Sequence, residues 1–105
     1  MLQTIKKALG LTQSDETLAS IVYWAGDARR IPRGYMLCDG RTLDTAKNAA
    51  LFSIIGNRYG GDGRSTFALP DLRVRDSKGN VDPADPWHRG PVILICVEGV
   101  YPFFD

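Results

Sequence analysis

A chain of 105 residues, 44% hydrophobic and 24% charged, has room for one domain and is too apolar to be disordered. Thirteen basic and twelve acidic residues leave a net charge of +1, so no global field draws it to nucleic acid or an anionic membrane. Eleven glycines and six prolines favour β structure with tight turns over a helical bundle.

In chain order, residues 1–10 read as a short helix, with Leu2, Ile5 and Leu9 on one face and Gly10 as its stop. A helix this short is marginal alone, so it must dock on its own domain or on a partner. Residues 12–17 are polar and read as a linker. Residues 20–24, Ser-Ile-Val-Tyr-Trp, have the β-branched and aromatic content of a strand. A charged loop follows, closed by a turn at Ile31-Pro32-Arg33-Gly34. Arg29, Arg30 and Arg33, opposed by Asp27, read as a solvated surface. Residues 35–38 form the next strand, and Asp39-Gly40 signals a hairpin into Arg41-Thr42-Leu43. Asp44 or Thr45 is expected to cap a helix that ends near Ile55 and carries Leu51, Phe52 and Ile55 on one face. Gly56 is its left-handed stop.

Beyond the helix lie the loop Tyr59-Gly60-Gly61-Asp62-Gly63 and a run from Phe67 to Leu72 broken by Pro70. Residues 76–90 have no periodicity and read as an irregular loop. Residues 91–97 are continuously apolar and fit a central strand buried on both faces. That run is too short to span a bilayer, which needs about 20 apolar residues. No signal peptide is evident, so the chain is expected to be made in the cytoplasm. The chain end, with Tyr101, Phe103 and Phe104, is strongly apolar.

Few residues offer chemistry. The two cysteines, Cys38 and Cys96, sit in apolar runs and read as buried thiols, with a bridge as the alternative if they meet in space. His88 is the one histidine, in a Pro-rich loop with no nucleophile elbow nearby. The glycine loop lacks both the lysine of a phosphate loop and the ligand spacing of a calcium loop, so its glycines and Asp62 read as turn formers. A hydrolase would need a carboxylate pair from among Asp62, Asp71, Asp76, Asp82, Asp85 and Glu98. Most of these lie in turns, and none stands in an apolar setting that would split two pKa values. Catalytic residues, metal and cofactor are therefore expected to be none. Trp87, beside His88 and Arg89, has two open readings: an exposed tip that stacks on a sugar or protein, or a ring folded back over the core.

Three stretches resemble the phage tail collar domain, also seen in microcystin-dependent-type proteins. One runs from Pro32 through Gly34, Cys38, Asp39 and Gly40 to Arg41. Another runs from Asn48 through Leu51 and Phe52 to Gly56. The third runs from Tyr59 through Gly60, Gly61, Asp62, Gly63, Phe67, Pro70, Asp71 and Leu72 to Arg73. With a last strand over residues 94–102, the likeness covers residues 20–103. It implies a non-enzymatic tail-fibre or tail-tip protein, often trimeric, that assembles with other tail proteins in a virion or phage-like tail. Family members usually carry a long Gly-rich insert after the Asp-Leu-Arg run; here Val74 takes a Gly position and only residues 76–91 remain, a reduced collar.

The expected fold is α+β: a small, mainly antiparallel β domain over residues 20–105, with one central helix. Residues 1–19, the short N-terminal helix and linker, would be a docking or oligomerisation segment. The expected function is structural, with Leu2, Ile5, Leu9, Tyr101, Phe103 and Phe104 as the assembly interface. The alternative is adhesion to a host surface glycan or protein through Trp87, His88 and Arg89, with a surface-polymer hydrolase as the remote reading.

Overall fold

The structure is a computed structural model and describes residues 15–104. The fold is α+β, as expected. Five antiparallel strands, β1 (Ile21–Trp24), β2 (Tyr35–Leu37), β3 (Thr42–Asp44), β4 (Thr66–Ala68) and β5 (Val92–Cys96), form two sheets. One helix among the described residues, α1 (Ala49–Ile55), stands among them. The anticipated N-terminal helix lies outside the described residues.

The larger sheet has the order β1-β5-β2, so the last strand in sequence is the central one. Val-Ile-Leu-Ile-Cys can sit there because both faces of β5 are covered. The register pairs Ile21 with Ile95, Tyr23 with Ile93, and Met36 with Ile95. Directly opposed residues share a face, and successive residues alternate between faces. On one face Ile95 joins a core with Leu18, Cys38, Leu51, Phe67 and Leu69, with Phe52, Ile54 and Ile55 of α1 packed against it. On the other, Val92 and Leu94 pack with Trp87, Val22, Trp24, Ile31 and Leu37. Phe52 and Phe67 tie helix to sheet through tilted rings with centroids 5.2 Å apart.

Several local expectations are corrected. Asp39-Gly40 is not a hairpin turn: β2 pairs with β5, whereas β3 pairs with β4. Gly40 does take a positive φ of 78°, as such a turn would need. It serves instead to pass the chain from one sheet to the other, its amide donating to the Pro70 carbonyl at 3.3 Å. The helix starts at Ala49, later than expected. The Asp44 carboxylate accepts the amides of Ala46 and Lys47, so it closes a turn ahead of the helix, and Asn48 at the N-cap makes no side-chain capping bond. The folded part also takes in residues assigned to the linker. Thr17 bridges Val100 in parallel, Leu18 is buried, and Ala19 donates to the Cys96 carbonyl.

Cys38 and Cys96 are free and buried. Cys38 donates its amide to Ile93, three residues from Cys96 along β5, and an odd offset puts the two thiols on opposite faces of the sheet. At roughly 3.3 Å per residue that separates them well beyond bridging range. The bridge alternative is therefore excluded by register.

Candidate functional site

The Asp39–Arg41 and Asp71–Arg73 pairs stand where the two sheets meet. Each begins with an aspartate whose carboxylate accepts the amide two residues on, at 3.2 Å for Arg41 and 3.3 Å for Arg73. That turn brings the arginine side chain back onto the same carboxylate. Arg41 donates Nε to Oδ1 at 3.0 Å and Nη2 to Oδ2 at 2.8 Å. Arg73 repeats this at 2.9 and 2.7 Å. Such forked, charge-assisted pairs fix orientation as well as distance. Asp39 and Asp71 bridge each other across antiparallel backbone, so the two clasps lie side by side. Arg75 adds a third guanidinium on Asp71 and donates Nη1 to the Gly79 carbonyl.

Arg73 foremost holds the Asp71 carboxyl down at about 2, and Arg41 foremost lowers that of Asp39. The arginines are raised in turn. Gly40 is required here for a second reason: a Cβ on it would lie 3.1 Å from that of Asp71. Asp27 and Arg29 form the same clasp in the β1–β2 loop, with Asp27 brought down to about 2. The Asp-x-Arg spacing is present in the sequence at all three places, but it recurs at Asp62-Gly63-Arg64, where the carboxylate binds backbone amides and the Ser65 hydroxyl instead, so spacing alone does not single out the clasps.

The glycine loop is a scaffold. Asp62 accepts the amides of Arg64, Ser65 and Thr66 and the Ser65 hydroxyl, which holds its carboxyl far below the usual range. Gly61, at φ 89°, lies so close to Phe67 that a Cβ would come within 2.5 Å of its Cα. The loop thus folds β4 and its buried Phe67 into place.

Asp76 and Asp82 likewise accept amides two residues on, and Asp85 accepts that of Arg89. Carboxylates occupied in this way serve as turn closures. Burial raises the Cys38 thiol to about 12, which makes it a poor nucleophile. Among the described residues no group of three His, Cys, Asp or Glu is placed to hold a metal ion, and no helix is long and apolar enough to cross a membrane.

Of the three ligand-binding candidates, Trp87 belongs to the core: it is 8% exposed and packs on Val92 and Leu94. The folded-back reading is the one realised, because the sheet face under residues 83–90 needs an apolar cover. His88 and Arg89 are exposed and adopt positive φ of 48° and 60°. Among the assembly candidates, Leu2, Ile5 and Leu9 lie outside the described residues. Tyr101 is half exposed, and Phe103 and Phe104 are 98% and 73% exposed.

Among the described residues, two small antiparallel sheets around one short helix, meeting at the Asp39–Asp71 bridge beside the two clasps, define a turn-rich α+β domain. A model of the phage tail collar domain matches residues 19–76, more than half of the chain, and the chain belongs to that family. The match includes both clasps at the sheet junction and the whole glycine loop. It ends before β5 and the apolar tail, so the family assignment rests on the middle of the chain. No curated protein matches the chain. The family is a structural domain of phage tails, and the protein is accordingly a tail component.

Proposed function

We propose that the chain is a tail-fibre or tail-tip collar module that assembles with other tail proteins as a homo-oligomer, a trimer by likeness to the family. The observation that carries this is the exposed aromatic run at residues 101–104. Its root is fastened by the amide of Val100 to Glu16 and by the Tyr101 hydroxyl to Ser53, yet Phe103 and Phe104 beyond it stand in solvent. Two adjacent exposed phenylalanines on an anchored root are an apolar surface that association would cover. The face of Leu2, Ile5 and Leu9 is proposed as a second docking element.

Light scattering of the full chain, of a chain ending at Pro102 and of a chain starting after Gly10 tests this. An oligomer that becomes a monomer on either truncation is the expected result. Monomers throughout would overturn self-assembly through these segments.

A second reading, host-surface adhesion, is favoured by one observation. His88 and Arg89 are held at the surface in consecutive left-handed conformations, an arrangement that L residues rarely adopt and that clusters at functional sites. Buried Trp87 would anchor this tip from beneath. Replacing both exposed residues by Ala should abolish cell binding by intact particles; unchanged binding would sink this reading.

A further inference from the structure

β1 is an edge of the larger sheet, whose order is β1-β5-β2. The Cys96 amide donates to the Ser20 carbonyl, so these two residues face each other as a hydrogen-bonded pair. Such pairs alternate along an antiparallel ladder, so Val22 and Trp24 also turn their backbone groups inward, to Leu94 and Val92. Ile21 and Tyr23 therefore turn theirs outward. No strand or isolated bridge among the described residues meets them there, since the cover supplied by Val100 stops at Thr17 and Leu18.

Their side chains are exposed along with the backbone, Ile21 at 46% and Tyr23 at 76%. Both stand on the sheet face of Ile95 and Ile93, at the rim of the core. An open sheet edge templates pairing with another chain, and charge or proline normally guards it. Residues 17–26, Thr-Leu-Ala-Ser-Ile-Val-Tyr-Trp-Ala-Gly, hold no charged residue and no proline.

We propose that β1 pairs antiparallel with β1 of a second copy of this chain, across a two-fold axis at Val22. This register joins the N–H and C=O of Ile21 to those of Tyr23 in the other copy, and the reverse, so every outward group of both residues is satisfied. A two-fold at Ile21 would instead set Tyr23 against Ala19, whose amide is already given to the Cys96 carbonyl. The side chains agree with the axis at Val22. Each Tyr23 ring lies opposite an Ile21, an aromatic and β-branched pair of the kind that stabilises sheets, and Val22 meets Val22. A strand paired with itself brings like charges together wherever it carries any, and this one carries none. An acidic or basic partner would find no counter-charge on it.

The contact is narrow against the roughly 1,600 Å² of a stable complex, so it forms reversibly and at high local concentration. A two-fold contact cannot close a ring of three. The inference thus goes beyond the tail-module reading: it links two free copies, or two rings.

Amide hydrogen exchange of the full chain, read by NMR at about 50 μM and about 1 mM, tests this. Protection of the Ile21 and Tyr23 amides is expected to rise at least about tenfold with concentration, while that of Val22, bonded within the sheet, stays level. Free exchange of both amides at the higher concentration overturns the pairing and leaves the tail-module reading to the truncations above. Protection already complete at the lower concentration, in a chain that scatters light as a monomer, also overturns it, because the chain then covers its own edge. Tyr23→Pro removes an outward donor without touching the ladder to β5, and should abolish the protection of Ile21. Protection that survives this change overturns the proposal. Val22→Cys checks the axis: Cα atoms of a non-hydrogen-bonded pair lie about 4.5 Å apart, within disulfide range, so mild oxidation should yield a reducible dimer. A folded Val22→Cys chain that gives no such dimer overturns the two-fold at Val22.

Discussion

The Tyr101 and Ser53 hydroxyls lie 2.6 Å apart, although 48 residues separate them in the chain. Ser53 also donates to the Ala50 carbonyl within α1, so the bond ties the root of the apolar tail to the only helix among the described residues. The direction in which Phe103 and Phe104 leave the domain is set there.

Tyr101→Phe and Ser53→Ala should each cost about 1 kcal/mol or less, because the pair is exposed and water can replace either partner. A double-mutant cycle by urea unfolding should show the two losses to be shared, not summed. Hydrogen exchange at Val100 should accelerate in both variants.

Gly61→Ala should destabilise by about 2 kcal/mol or more, since a positive φ and overlap with the Phe67 backbone act together. Gly79→Ala, also at positive φ but with open space around its Cβ, should cost only about 1 kcal/mol. Similar costs at the two sites would contradict the close packing of the glycine loop on β4.

Trp87→Ala should cost about 3–5 kcal/mol through the cavity left on Val92 and Leu94. Arg89→Ala should change stability by less than about 0.5 kcal/mol. Loss of cell binding in a Trp87 variant would for that reason report unfolding; only the exposed His88 and Arg89 test the adhesion reading. Thermal melts of the two variants check this difference.

Acid should weaken the fold. Asp71 is brought down to about 2, and Asp39 and Asp62 are lowered as well. A depressed carboxyl contributes stability that is fully present above its unfolded value, about 3.9, and is lost as pH falls through its folded value. Urea midpoints should therefore be level above about pH 5 and drop between about pH 4 and 2. Asp71→Asn should start lower and show a shallower drop.

Neither thiol should react with a disulfide reagent until the chain unfolds, and reducing agent should leave the melting temperature unchanged. Cys38 is buried with its thiol raised to about 12, and Cys96 is buried on the opposite sheet face. A mass loss of two hydrogens under mild oxidation of the folded monomer would contradict the register.

Much of the local structure was legible in the residues. The continuous apolar run at residues 92–96 declared a strand buried on both faces, Gly56 marked the end of α1, and Asp62 announced a turn. These features follow from side-chain chemistry and backbone sterics acting over a few residues. Asp39-Gly40 was misread because its hairpin signal is local, whereas β2 gains more by pairing with β5, whose two faces must both be covered. Trp87 could be read either way, since a loop residue joins the core or leaves it according to whether a distant sheet face needs covering.

The composition, the turn chemistry and the family motifs at residues 32–41, 48–56 and 59–73 determined the class of this protein, because each rests on interactions between near neighbours. Tertiary structure alone decided that the cysteines stand on opposite faces, that two Asp-x-Arg clasps meet side by side, and that Phe103 and Phe104 are left in water. Those outcomes depend on which strands pair across dozens of residues, and that choice is made by burial of the whole apolar surface at once.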